Sequence, residues 1–202
     1  MNYLYIGKPS DDNVGNGKTC SIIGEVIDQW VADESKTIFS NIILKDVPYT
    51  KFTPDNIEEV LSTDNALVVL DEIHAIVHKN HRITEHCQKH SVDGLCYRLG
   101  EFFRQIRKRS SDSYASSQTF ADTAYQYRTL MQRQVVCEKY HLRDNMLRKC
   151  ESDKCPADHE HYIKQTLFKN YNFVKELPLF DPSTYYNYYD SYEIVDGWVT
   201  YD

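Results

Sequence analysis

Residues 15–19 read GNGKT, and the segments on either side of this glycine-rich pentapeptide constrain the fold most strongly. The run MNYLYIG before it is rich in aromatic and β-branched residues and ends in glycine, which predicts a first strand. After it, apolar residues recur at helical spacing, at Ile22, Ile23, Val26, Ile27 and Trp30. Strand, loop and helix therefore follow one another in the order that a phosphate-binding loop (P-loop) requires.

This pattern assigns a role to each polar group of the pentapeptide. The phosphates of a nucleotide would be held by backbone N–H groups, those of Gly15, Asn16, Gly17, Lys18, Thr19 and Cys20. The positive end of the helix dipole favours the same anions. The Lys18 ammonium would contact the β- and γ-phosphates, and the Thr19 hydroxyl would coordinate Mg²⁺. The sequence thus predicts ATP and Mg²⁺ as cofactors.

The start of the loop departs from the common pattern G-x-x-x-x-G-K-[ST]. Counting back from Gly17 places Asp12 where the first glycine belongs, and Asp11 adds a second carboxylate close to the expected phosphates. One interpretation is that Gly7 or the turn at residues 13–15 supplies the bend, with both aspartates facing solvent. The other is a damaged loop that no longer binds nucleotide.

A second motif, ALVVLDEIH at residues 66–74, supports the first interpretation. Its continuous apolar run is typical of a strand buried on both faces, and two acids stand at its carboxyl end, where ligands of open α/β sheets bind. Asp71 would hold Mg²⁺ through water, and Glu72 would polarise the attacking water as general base. An ordinary strand-to-helix junction is the alternative for these residues taken alone.

The rest of the chain completes an alternating order of strands and helices. KTIFSNIIL predicts a strand, TPDNIEEVLS a helix capped by Thr53 with Pro54 at its first position, and DGLCYRLGEFFRQIRKRS an amphipathic helix. SDSYASSQTF predicts a strand that ends at Ser117 and Gln118. This β-α-β-α-β-α-β order predicts an α/β fold with a mostly parallel central sheet flanked by helices.

Composition limits the domain number and the cellular setting. The chain has 202 residues, of which 41% are hydrophobic, and no Gly/Ser/Pro-rich linker divides it, so we expect one domain over residues 1–202. The start of the sequence lacks the features of a signal peptide, and no apolar run is long enough to span a membrane. We expect a soluble, intracellular protein whose six cysteines need not form disulfides.

The three motifs together resemble the FtsK/HerA branch of P-loop ATPases, which have a RecA-like fold. The resemblance rests on GNGKT, on LDE and on a strand that ends in Gln118, and it extends through most of the chain. It implies that Gln118 senses the γ-phosphate and helps to position the attacking water. It also implies an arginine finger supplied by the neighbouring subunit of a ring, for which Arg104, Arg107 and Arg109 are candidates, with Arg107 or Arg109 favoured.

Small size, the ASSQTF segment and the closing YYDSYEIVD resemble the genome-packaging ATPases of archaeal viruses, most closely those of turreted icosahedral viruses of Sulfolobus. This resemblance implies an oligomeric ring that translocates double-stranded DNA into a capsid. Its partners would be DNA, further copies of the chain and proteins of the capsid vertex. The protein would work in the cytoplasm of the infected host cell, transiently at the assembling capsid.

A basic segment at residues 78–109 suits the same role. The chain is acidic overall, with a formal net charge of -7, yet this segment carries eight Lys or Arg residues against three acids. Such a segment could line a pore around the phosphate backbone of DNA without reading its bases. A solvated helix face is the alternative interpretation.

The last third of the chain contains a Cys/His cluster and a tyrosine-rich segment. Residues 134–170 predict a β-hairpin extension whose loop offers Cys150, Cys155, His159 and His161, a set that could bind Zn²⁺. A disulfide between Cys150 and Cys155, or surface residues without any link, explains the same positions. The tyrosine-rich residues 178–202 are expected to pack against the domain or a neighbouring subunit.

Two other functions share some of these motifs. A nucleotide or small-molecule kinase would have a P-loop but normally needs an acceptor pocket and lid arginines in place of a glutamate aimed at water. A non-catalytic virion assembly protein would retain the nucleotide as a structural ligand only.

Overall fold

The computed structural model of the protein describes residues 1–8, 16–77, 95–150 and 160–190. Its strands are β1 (Asn2–Gly7), β2 (Thr37–Ser40), β3 (Thr50–Lys51), β4 (Ala66–Leu70), β5 (Asp112–Ser117), β6 (Arg133–Arg143), β7 (Met146–Lys149), β8 (His161–Lys169) and β9 (Asn172–Glu176). Its α-helices are α1 (Lys18–Ala32), α2 (Ile57–Ser62), α3 (Ile73–Ile76), α4 (Leu95–Gln105) and α5 (Tyr125–Arg128). Short 3₁₀ segments cover Pro54–Asn56, Ile106–Arg109, Phe120–Asp122 and Pro182–Tyr188. Among these described helices, none has the length and apolar character needed to cross a membrane.

The described strands form one sheet in the order β3-β2-β4-β5-β1-β6-β8-β9, with β7 paired to β6. The pairs from β3 through β6 are parallel, whereas β6–β7, β6–β8 and β8–β9 are antiparallel. The predicted α/β class with a mostly parallel sheet flanked by helices is confirmed. The two strands expected around the Cys/His loop are present as β6 and β8, which extend the sheet on one side.

Strand β4 lies in the centre of the fold and is buried on both faces. Each of its five residues is at most 1% exposed. Ala66, Val68 and Leu70 pack into a core with α2, α4 and α5, while Leu67 and Val69 pack into a second core with α1. Because both faces of β4 contact an apolar core, the sequence shows a continuous apolar run and no alternation of apolar and polar residues.

Two predicted elements have different bounds in the structure. The strand predicted from KTIFSNIIL stops at Ser40, whose hydroxyl donates to the carbonyl of Ile42 at 2.8 Å and thereby turns the chain. The helix predicted from TPDNIEEVLS begins as a 3₁₀ turn, in which the Thr53 N–H donates to Asn56 Oδ1 at 2.9 Å. Both differences arise from side-chain hydrogen bonds to the backbone, which compete locally with regular structure.

Residues 177–190, here called the C-terminal strap, pack along α1. Gly24 of α1 allows this close approach, because a Cβ atom there would come within 2.6 Å of the Phe180 ring. The Tyr185 hydroxyl donates to Asp28 Oδ1 at 2.7 Å, and the Lys45 N–H donates to the Tyr188 carbonyl at 2.8 Å. The described part of the tyrosine-rich segment is therefore packed against the helix that follows the P-loop.

Candidate functional site

Three neighbouring parallel strands bring the predicted motifs to one edge of the sheet. Strands β4, β5 and β1 are adjacent, and their carboxyl ends lead into Asp71 and Glu72, Gln118, and the P-loop, respectively. Since parallel strands end at the same edge, segments far apart in sequence meet there. The structure thus brings together Lys18, Thr19, Asp71, Glu72 and Gln118.

The end of the P-loop has the geometry of an anion site. Gly17 has φ 78° and ψ 18°, in the left-handed region that favours glycine, and α1 begins directly after it. The first turn of this 15-residue helix carries no acidic side chain that would oppose an anion. Asn16 and Gly17 are described, whereas Gly15 and both aspartates of the unusual loop start lie outside the described residues.

Thr19 and Asp71 form the pair expected to hold Mg²⁺. The Thr19 hydroxyl donates to both carboxylate oxygens of Asp71 at 3.1 and 3.0 Å, and the Ser116 hydroxyl donates to Oδ1 at 2.5 Å. Asn41 fixes the backbone of Asp71 by accepting from its N–H at 2.7 Å and donating to its carbonyl at 2.9 Å. Burial raises the pKa of Asp71, against the hydrogen bonds from Ser116 and Thr19.

A buried carboxylate beside a hydroxyl is a donor set that fits Mg²⁺, which binds proteins through one or two oxygen ligands plus substrate phosphates. Thr19 and Asp71 would hold the ion.

Glu72 is held at the mouth of the site by an unusual backbone conformation. Its φ is 51° and its ψ 49°, in the left-handed region, and its N–H donates to Ser116 Oγ at 2.9 Å. Non-glycine residues adopt this conformation at an energetic cost, and such residues cluster at functional sites. The side chain is 25% exposed, so water can reach the carboxylate.

Gln118 connects the P-loop lysine to this glutamate. Its Oε1 accepts from Lys18 Nζ at 3.1 Å, and its Nε2 donates to the two Glu72 oxygens at 3.2 and 3.3 Å. The Lys18 side chain is buried beneath them. A ligand that draws away the Lys18 ammonium would therefore release one side of Gln118, as expected of a group that senses the γ-phosphate.

His74 is a site residue that the sequence reasoning missed. Its Nε2 lies 3.0 Å from Glu72 Oε2, and its Nδ1 lies 3.4 Å from Ser117 Oγ. Burial raises the pKa of Glu72, but contacts with His74, Lys18 and Gln118 outweigh that effect and hold the pKa below its usual value. The sequence signal was the histidine of DEIH, two positions after the glutamate.

Replacement of His74 by Ala is expected to shift the acid limb of the pH–rate profile to higher pH. The variant removes a contact that lowers the pKa of Glu72, so this pKa rises and the base becomes protonated at a higher pH than in the unmodified protein. The measurement is the pH dependence of kcat/KM for phosphate release. His74→Gln, whose amide can still donate to Glu72, should restore most of the profile, and identical acid limbs in all three proteins would contradict this role.

The two favoured candidates for the arginine finger, Arg107 and Arg109, lie at the other end of β5. They belong to the 3₁₀ segment Ile106–Arg109, which precedes β5, whereas Gln118 follows it, and six strand residues span roughly 20 Å. Arg109 donates to the Ser62 carbonyl and to Asp64 Oδ1, both at 3.1 Å. Arg107 is exposed on the same segment. Neither arginine reaches the described residues of the P-loop in its own chain.

The Cys/His cluster is only partly described. Cys150 Sγ and His161 Nε2 lie 3.9 Å apart, whereas Cys155 and His159 fall outside the described residues. Within the described ranges, no group of three or more His, Cys, Asp or Glu side chains is arranged to hold a metal ion. Zinc and the disulfide therefore both stay predictions, and neither is supported here.

A cleft of about 310 Å³ opens over the P-loop. One part of its lining consists of site residues already described, including Lys18, Glu72 and Gln118. The other part comes from the antiparallel strands and from the C-terminal strap, namely Lys139, His161, Ile163, Pro182, Tyr186 and Tyr189. A Cβ atom on Gly17 would come within 2.2 Å of Ile163 Cδ1, so β8 packs directly against the P-loop.

Comparisons with known proteins identify the fold. No family model and no curated protein sequence matches the chain. Among solved structures, the N-terminal domain of zonular occludens toxin from Neisseria meningitidis is similar over 96% of this chain and 94% of its own, with a TM-score of 0.53 and 15% identity. The genome packaging NTPase B204 from Sulfolobus turreted icosahedral virus 2, solved in complex with ATP-gammaS, is similar over 86% of this chain and 95% of its own, with a TM-score of 0.51 and 10% identity. The chain therefore has the α/β fold of these two proteins, with a mostly parallel central sheet flanked by helices.

Proposed function

We propose that the protein is a Mg²⁺-dependent ATPase that, as an oligomeric ring, translocates double-stranded DNA into a viral capsid. The observation that carries the hydrolytic part is the continuous network from Lys18 through Gln118 to Glu72, beside the Thr19–Asp71 pair. The packaging part is supported by the similarity to B204, which is described as a genome packaging NTPase. The site of action would be the host cytoplasm, at the vertex of the assembling capsid.

Each side chain of the network has a distinct task in this proposal. Lys18 and the N–H groups at the start of α1 bind the β- and γ-phosphates, and Glu72 accepts a proton from the attacking water. Gln118 gives up its hydrogen bond with Lys18, contacts the γ-phosphate instead and orients the attacking water. Thr19 and Asp71 would hold Mg²⁺, which would supply positive charge beside the phosphates.

The finger would be supplied in trans, because both candidates lie at the far end of β5. Arg107 suits this role better than Arg109, since Arg109 already pairs with Asp64 and the Ser62 carbonyl within its own chain. In the described part of the basic segment, Arg98 and Arg104 also pair with acids, Glu58 and Glu101. Arg107 and Lys108 are exposed and could contact a neighbouring subunit or DNA.

Steady-state phosphate release with Mg-ATP, with and without linear double-stranded DNA, tests both parts of the proposal. We expect hydrolysis that requires Mg²⁺ and rises several-fold with DNA, and the stimulation should weaken as salt is added, because backbone contacts release counterions. If DNA did not change the rate of hydrolysis, the protein would be an NTPase and the translocating role would be wrong. No hydrolysis by the assembled ring would favour a non-catalytic assembly protein, and phosphate transfer that needs an added acceptor would favour a kinase.

A further inference from the structure

The cleft has two chemically different ends, and the proposed function orients a nucleotide between them. Lys18, Gln118 and Glu72 mark the γ-phosphate end. The backbone N–H groups of a P-loop cradle the α- and β-phosphates, and in this chain the predicted set of N–H groups ends at Cys20, in the first turn of α1. The ribose and base must therefore leave the P-loop past Cys20.

The C-terminal strap forms the wall of the cleft at that place. The Cys20 thiol donates to the Pro182 carbonyl at 3.6 Å, so the start of α1 and the strap are in direct contact. Pro182, Tyr186 and Tyr189 of the strap all line the cleft. The strap contributes two rings and a proline to the lining, whereas the other end offers an ammonium, an amide and a carboxylate.

Of the two strap tyrosines that line the cleft, Tyr186 is the more exposed. Tyr189 is only 7% exposed, and Tyr185 stacks on Phe180 with ring centroids 5.2 Å apart while its hydroxyl bonds Asp28. Tyr186 is 51% exposed. An aromatic residue that lines a cleft and is half exposed offers a platform for a planar ligand.

The platform has a fixed position relative to the P-loop. The strap is attached to the domain on both sides of the 3₁₀ segment Pro182–Tyr188. Before the segment, Phe180 forms backbone hydrogen bonds with Ile163 at 2.8 and 3.0 Å. After it, Tyr189 forms a β-bridge with Leu44. A ring held in place before binding loses little conformational freedom when a ligand stacks on it.

We propose that Tyr186 is the nucleobase platform of this site and stacks on the base of the bound nucleoside triphosphate. The assignment rests on the proposed function and extends it from the phosphates to the base. Stacking tolerates any base, because every base presents a π-face. Tyr186 therefore contributes to affinity for nucleotides and contributes nothing to affinity for an inorganic triphosphate chain.

Titration calorimetry with two ligands, Mg-ATP and inorganic tripolyphosphate, tests the assignment. Both are measured in a Glu72→Gln background, which suppresses turnover. Tyr186→Ala is expected to weaken ATP binding about 10-fold and to change tripolyphosphate binding by less than about 2-fold. Tyr186→Phe keeps the ring and should bind ATP within about 2-fold of the parent.

Tyr97→Ala on α4 is the matched control, since Tyr97 is 45% exposed and does not line the cleft. It should leave both affinities unchanged. Unchanged ATP affinity in Tyr186→Ala would overturn the assignment, as would an equal loss for both ligands, which would indicate a distorted P-loop. If the parent bound neither ligand, the proposed nucleotide site itself would be wrong.

Discussion

Replacing Glu72 by Gln is expected to lower the rate of phosphate release by about three orders of magnitude while nucleotide binding is retained. The amide has nearly the same shape, but it cannot accept a proton from the attacking water. The carboxylate is suited to this task because it is 25% exposed and because His74, Lys18 and Gln118 keep its pKa low, so it is ionised at neutral pH. The measurements are steady-state phosphate release with Mg-ATP and calorimetric binding of ATP.

Glu58→Gln provides the control for this experiment. Glu58 is an exposed glutamate of α2 that pairs with Arg98 at 3.0 Å, away from the cleft, and its replacement should leave the rate unchanged. If Glu72→Gln hydrolysed ATP at the parent rate, the general-base role would be wrong. If the parent protein bound ATP but did not hydrolyse it, the non-catalytic assembly function would be favoured.

The motif residues could be predicted from sequence because each motif is local. The P-loop needs a strand, a glycine and a helix within one short segment, and β1, Gly17 and α1 follow in that order. The LDE motif needs a buried strand with acids at its carboxyl end, and β4 is such a strand. In both cases periodicity and chemistry fall within a single sequence window.

The residues that position these motifs could not be predicted, because they come from other elements. Asn41 and Ser116 hold the backbone and side chain of Asp71, yet they lie 30 and 45 positions away in the chain. Ile163 and Tyr186 line the cleft from the antiparallel strands and the strap. Only the sheet order places these segments together, and no local pattern marks a serine or an isoleucine as part of a nucleotide site.

The contacts of the arginines proposed as finger could not be predicted from the sequence either. The family resemblance implied an arginine finger and favoured Arg107 and Arg109 among three candidates, but it carried no information about the partners of these side chains. The structure separates them, since Arg109 bonds Asp64 whereas Arg107 is exposed. Which residue contacts a neighbouring subunit depends on surfaces between chains, and these are not encoded in any one segment.

Replacing Lys18 by Met is expected to weaken ATP binding by roughly 100-fold or more without lowering the stability of the nucleotide-free protein. Its ammonium is the group placed to contact the β- and γ-phosphates. Lys18 is only 6% exposed, and its ammonium donates a hydrogen bond to the neutral amide of Gln118. Burial of the ammonium disfavours the folded state, and attraction to the Asp71 and Glu72 carboxylates offsets only part of that cost. Met fills similar volume without the charge.

Calorimetric binding of ATP and thermal unfolding without nucleotide measure the two effects separately. Lys175→Met, which removes an exposed lysine of β9, should change neither quantity. A Tm several degrees below that of the parent would mean that Lys18 stabilises the fold. Unchanged ATP affinity would mean that Lys18 does not bind the phosphates. If ATP affinity fell while the Tm stayed equal or rose, Lys18 would be a buried charge that serves ligand binding and lowers the stability of the protein without nucleotide. Functional sites commonly show this trade-off.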